Sequence, residues 1–106
     1  MNEREKDVKG AIKRLLKTLG WDYISNLQGI GCRKGVPDIT AIPPEGPYVV
    51  WIEVKTTKGR LSQEQEVFIT QLQNRGQHVM VIKGVCEVKK LEEFLMKHTK
   101  NLIAEA

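Results

Sequence analysis

Apolar residues at Val8, Ala11, Ile12, Leu15, Leu16 and Leu19 recur every three or four positions, with lysines and arginines filling the gaps. That spacing predicts an amphipathic helix over residues 2–19. Gly20 falls where a helix end favours a left-handed residue. The period then shortens. WDYIS (21–25), VPDITAI (36–42) and the run at 48–56 read as strands. Between the first two lies NLQGIGCRKG (26–35), whose three glycines and adjacent cations mark a loop. PPEGP (43–47) is a turn. A second helix is predicted from Ser62 to Asn74, with Val67, Phe68 and Leu72 as its apolar stripe and Gly76 beyond its end. HVMVI (78–82) is a continuous apolar run and predicts an interior strand. Val88, Leu91, Phe94 and Leu95 mark a last helix, with the tail after Thr99 expected to fray. The order α-β-β-β-α-β-α predicts an α/β fold with a central mixed sheet flanked by helices and one crossover connection. At 106 residues, one domain is expected, with its core over about residues 5–98.

The strand at 48–56 breaks its own pattern. Strand side chains alternate faces, so Val50, Ile52 and Val54 share one face, while Trp51, Glu53 and Lys55 share the other. The first face suits a core. The second places a carboxylate and an ammonium together near the strand's end. Asp38 lies in the preceding strand, and hairpin pairing would bring it beside Glu53. Two carboxylates suit Mg²⁺ or Mn²⁺, hard cations that prefer oxygen ligands. Such an ion polarises a phosphoryl oxygen and activates water, and Lys55 would orient that water and offset charge on the phosphate. The chemistry that asks for this group is phosphodiester hydrolysis.

Composition narrows the picture only a little. Formal net charge is +4, which permits a polyanionic partner. Arg33, Lys34, Lys58 and Arg60 flank the acidic and lysine positions in sequence and are candidate DNA-backbone contacts. Nothing resembles a base-reading helix or a zinc module. Cys32 and Cys86 lie in no ligand-spaced motif and read as free thiols. His78 and His98 read as structural. No stretch is apolar enough to span a membrane. The charged start MNEREKDVKG is unlike a signal peptide, so a cytoplasmic location is expected.

The blocks GVPDI, WIEVKTTKGRLSQEQ and GQHVMVI, in that order, resemble the P-D…(D/E)-x-K signature of the restriction-endonuclease-like superfamily. Within it they are similar to the VRR-NUC family of nuclease domains in its compact stand-alone form. The resemblance spans Glu5 to Ile82. It implies a restriction-endonuclease-like core and metal-dependent cleavage of DNA. It makes Asp38 and Glu53 metal ligands, Lys55 the catalytic lysine and Gln65 the helix glutamine at the site. It offers Glu5 as a further acid near the metal, with Glu3 as its competitor. It also implies a homodimer acting on branched DNA such as Holliday junctions, in a bacterial host and encoded by a phage.

Several of these residues have an ordinary alternative. Glu53 and Lys55 could lie on a solvated strand face. Ser62-x-x-Gln65 is also a capping box. Glu5 could be a first-turn acid paired with Lys9 one turn on. Flaps, ends or plain duplex remain alternative substrates. A DNA-binding module without activity is the alternative from another class.

Overall fold

The computed structural model describes residues 3–105, with side chains from Glu3 to Lys97. Its elements run α1 (Glu5–Thr18), β1 (Asp22–Ser25), β2 (Ile39–Ile42), β3 (Val50–Lys55), α2 (Gln63–Asn74), β4 (His78–Lys83), a 3-10 turn (Val85–Glu87) and α3 (Val88–Glu105). This is the expected order, α-β-β-β-α-β-α. The four strands form one sheet in the order β1-β2-β3-β4. β1–β2 and β2–β3 pair antiparallel, and β3–β4 pair parallel across α2.

The two faces of β3 separate two layers. Val50, Ile52 and Val54 are fully buried with Ile39, Ala41 and Ile82 against Val8, Ile12 and Leu16 of α1 and Leu91 and Leu95 of α3. Each such aliphatic side chain removed from water contributes about 1.5–3 kcal/mol, so this layer holds the fold. The register keeps the face consistent: Ile39 lies opposite Ile52, Ala41 opposite Val50, and Ile82 beside Val54. On the other face α2 covers Trp51, whose ring meets Phe68 edge-on at 6.3 Å.

Several boundaries differ from the sequence reading. α1 begins at Glu5, not residue 2, because Arg4 is extended and its N–H is taken by Asp7 Oδ2 at 3.0 Å. It ends at Thr18, one residue short of the expected 19, with Leu19 as its cap and Gly20 at φ 79°. There the Gly20 and Trp21 N–H groups return to Lys17 and Leu16 carbonyls. β2 starts at Ile39, not residue 36, and β3 occupies 50–55 of the expected 48–56. On α2 the buried residue is Ile69, whereas Val67 is 51% exposed. The inward stripe keeps Phe68 and Leu72 as expected, half-buried, but takes Ile69 and Gln65 in place of Val67. A polar residue that faces the sheet hid it. The last helix continues through Thr99 to Glu105. His98 lies outside the described side chains. His78 is structural as read: it packs between Tyr48 and Phe94, 5.3 and 6.1 Å away. Cys32 and Cys86 are free thiols.

Two contacts set the loops that border the end of β3. Gly35, at φ +85°, lets the 26–35 loop pass against the backbone of Glu64, where a Cβ would collide with the carbonyl. Glu3 accepts from Thr57 N at 3.1 Å, Thr57 Oγ1 at 3.0 Å and Val85 N at 2.9 Å. These bonds hold its carboxyl below the usual carboxylate range, the one from Val85 most strongly.

Candidate active site

Asp38, Glu53 and Lys55 converge, as hairpin pairing of β2 and β3 predicts. Asp38 stands one residue before β2 rather than inside it, and the polypeptide bends there. It is 9% exposed, and its Oδ2 accepts from the Val54 N–H at 2.8 Å. That bond replaces the ladder hydrogen bond that the end of β2 does not supply. Its other oxygen, Oδ1, lies 3.3 Å from Lys9 Nζ. Every orientation of the Asp38 carboxylate is thereby fixed from α1 and β3.

Glu53 is 1% exposed. Its face of β3 is not a solvated strand face, because α2 lies over it. Gln65 Nε2 donates to Glu53 Oε1 at 3.2 Å, and Lys55 Nζ stands 3.9 Å from the same oxygen. Glu53 Oε2 is buried and meets no donor. A carboxylate oxygen left this way is costly to ionise. Burial pushes the Glu53 carboxyl up to about 8. The Asp38 carboxyl adds to the rise, by its charge and by accepting a hydrogen bond from protonated Glu53. Lys55 works in the opposite direction, and the charge of Glu5 raises the value slightly further.

Gln65 caps α2 and also touches Glu53. Its Oε1 accepts from Ser62 N at 2.8 Å, and its backbone N–H donates to Ser62 Oγ at 3.1 Å, which is the capping box. Its Nε2 is left over for Glu53. The cap thus aims the amide at the carboxylate. Gln65→Glu is expected to keep Ser62 capped but to set a second carboxylate against Glu53 Oε1. Any DNA cleavage should then fall by roughly tenfold or more, with the folded protein retained by circular dichroism. Unchanged cleavage would leave Gln65 only its capping role.

Other expectations fare differently. Glu5 is exposed on the first turn of α1 and reaches the site only through its charge. Among the described residues no group of three or more His, Cys, Asp or Glu side chains could hold a metal ion. Glu3 is committed to Thr57 and Val85, away from Asp38 and Glu53. Lys9 pairs with Asp38 rather than with Glu5, and sequence reading missed that role. Its signal was its place beside the buried Val8 on the inner flank of the apolar stripe.

The cations divide as well. Arg60 lines a cavity of about 490 Å³ with Lys55 and Lys83. Lys83 escaped the sequence reading because the apolar run stops at Ile82, yet β4 continues and pairs it with Lys55. Lys58 is exposed in the turn between β3 and α2. Lys34 lines a cleft of about 700 Å³ that runs from the 26–35 loop to Ser62 and Gln65. Arg33, expected as a phosphate contact, lies over the Phe68 ring at 4.6 Å.

Asp38 and Glu53 present hard oxygen donors, and Glu53 Oε2 lacks any other partner. This donor set fits Mg²⁺ or Mn²⁺, whose remaining positions water and phosphate would fill.

The chain matches the family model of the VRR-NUC domain over residues 4–89. A solved structure described as "VRR_NUC domain" is similar to it with a TM-score of 0.74 and 29% identity, over 84% of this chain and 94% of that one. A second, described as "VRR_NUC domain protein", has a TM-score of 0.69 and 18% identity, over 92% and 91% of the two chains. No curated protein matches in sequence. Among the described residues no helix is long and apolar enough to cross a membrane.

Proposed function

Because the chain belongs to the VRR-NUC domain family, a family of nuclease domains, we propose that it is a metal-dependent DNA endonuclease that hydrolyses phosphodiester bonds in branched DNA such as Holliday junctions. The observation that carries the reading is the buried Asp38–Glu53 pair, with Glu53 Oε2 lacking a donor and Lys55 and Lys9 on either side. Two carboxylates buried together are costly to ionise, and a bound cation offsets that cost.

In this reading Asp38 and Glu53 hold Mg²⁺ or Mn²⁺. When bound, the ion supplies polarisation of the phosphoryl oxygen and activation of water. The side chains around it do the positioning. Val54 N–H and Lys9 fix Asp38, and Gln65 holds Glu53 Oε1 and leaves Oε2 without a donor. Lys55 orients the attacking water and offsets charge on the phosphate in the transition state. Glu5 acts on the ion through its charge or through a water. Lys34, Lys58 and Arg60, joined by Lys83, contact DNA phosphates and set the register of the duplex without reading its sequence. Two such domains related by a two-fold axis match the symmetry of a four-way junction, so the working form is a homodimer. Its setting is the cytoplasm of a bacterial cell, and its source a phage.

The test is cleavage of a labelled four-way junction, flap, single strand and linear duplex, with Mg²⁺, Mn²⁺ or EDTA. The expected result is metal-dependent cutting with the junction preferred. Cutting of flaps or duplex alone would change the substrate class. Binding without cutting under every condition would leave a silent DNA-binding module.

Lys9 offers a second test, independent of turnover. Its ammonium lies where it competes with a metal for Asp38 Oδ1. Lys9→Met is expected to bind Mn²⁺ about 3–10-fold more tightly than the wild type, since removing a nearby positive charge favours a cation. Free Mn²⁺ measured by electron paramagnetic resonance gives both constants. Equal constants would place Lys9 outside the metal's reach.

A further inference from the structure

Resting on the nuclease reading, we propose that the groove beside α2 is a subsite for an unpaired nucleobase of the DNA strand next to the scissile phosphate. The groove starts at the candidate active site. The cleft of about 700 Å³ includes Gln65, the residue that touches Glu53. Two smaller cavities, of about 330 and 250 Å³, continue it along α2. Arg33 lines all three. The last is floored by Trp51, which lies two residues before Glu53 on the same face of β3, about 7 Å along the strand.

The chemistry of the groove suits a base better than a phosphate alone. The Arg33 guanidinium lies over Phe68 at 4.6 Å, a flat cation on a flat ring. Trp51 meets the same ring edge-on, and its Nε1–H is buried with no acceptor. A planar heterocycle with acceptors on its edge matches both features. It stacks on a guanidinium or ring, and it accepts from the indole N–H. Arg33, Lys34 and Arg75 outnumber the one lining acid, Glu64, so the groove also favours the attached phosphates. A base within a duplex is stacked on both sides and cannot offer its face. The groove therefore takes a base that has left its stack beside the cut, as one can at the branch point of a junction. Arg33 then acts as a stacking platform, beyond the phosphate contact expected of it.

The experiment compares a single-stranded oligonucleotide with an abasic one of equal length, which keeps the phosphates and removes the bases. Affinities are read by fluorescence anisotropy in EDTA for the full chain, Arg33→Met and Trp51→Phe. The wild type is expected to prefer the base-bearing strand by roughly 5–30-fold. Both variants should lose most of that preference, and Trp51→Phe should bind the abasic strand as the wild type does. Thermal unfolding checks that Trp51→Phe is folded, and Arg33, being exposed, is replaced without disturbing the core. Equal wild-type affinity for the two strands would overturn the subsite, as would a preference that survives in both variants. Cleavage of the junction by the wild type is scored separately. Cutting without a base preference ends the subsite and spares the nuclease reading. A base preference without cutting does the reverse.

Discussion

Glu53→Gln is expected to abolish metal-dependent cleavage and yet to stabilise the metal-free protein at alkaline pH. The two effects have one cause. Glu53 is almost fully buried, its Oε2 meets no donor, and Asp38 is its neighbour. Its carboxyl is raised from 4.5 to about 8 in the fold. Between those values the folded chain keeps a proton that the unfolded chain has released. Stability from this group is therefore full below about pH 4.5, falls as pH rises, and is lost above about 8. Each unit of separation corresponds to about 1.4 kcal/mol, so the loss at pH 9 is on the order of a few kcal/mol. Glutamine keeps the shape and never ionises. Its melting temperature should exceed the wild type's by roughly 10 °C at pH 9 and match it near pH 5, measured in EDTA. Parallel melting profiles for the two proteins across that range would refute the account. The stability surrendered at this position is of the kind active sites give up for function.

Lys55→Ala should lower cleavage by about 10²–10⁴-fold, as loss of one transition-state contact does. Losing Lys55 removes a repelling charge but also raises the Glu53 carboxyl, two effects of opposite sign on a bound cation, so Mn²⁺ affinity should stay within roughly threefold of wild type. That pairing of results separates a positioning cation from a ligand. A proportional loss of metal binding and cleavage would instead mean that Lys55 only sustains Glu53. The variant also removes the ammonium that lowers the Glu53 pKa. Any residual activity should therefore rise toward higher pH than in the wild type.

Much of this arrangement was legible in the sequence. The period-two alternation through Trp51, Glu53 and Lys55 identified a charged patch on a core strand, and the turn at 43–47 implied the hairpin that brings Asp38 to it. Ser62-x-x-Gln65 announces a helix start, and the family resemblance places Gln65 at the site, while its contact with Glu53 emerges only from the fold. What escaped notice depends on distance in the chain. The Lys9–Asp38 pair joins residues that only the packing of α1 on the sheet brings together. Lys83 joined Lys55 only once parallel pairing fixed the register of β4. Arg33 looked like a free cation because nothing local announces Phe68 beneath it. Val67 was taken as inward-facing because it is apolar, but Gln65 holds the inward position and moves the buried stripe to Ile69. A polar residue on the inner face of a helix disguises the face it occupies.

The hydrogen bond from Val54 N–H to Asp38 Oδ2 has a use of its own. An amide proton shared with a carboxylate oxygen is a magnetic probe of that carboxylate's charge. With valine nitrogens labelled, the Val54 cross-peak should track the ionisation of Glu53 next to it in sequence and the arrival of a cation. It would do so in solution, without substrate and without any engineered label, from inside the core.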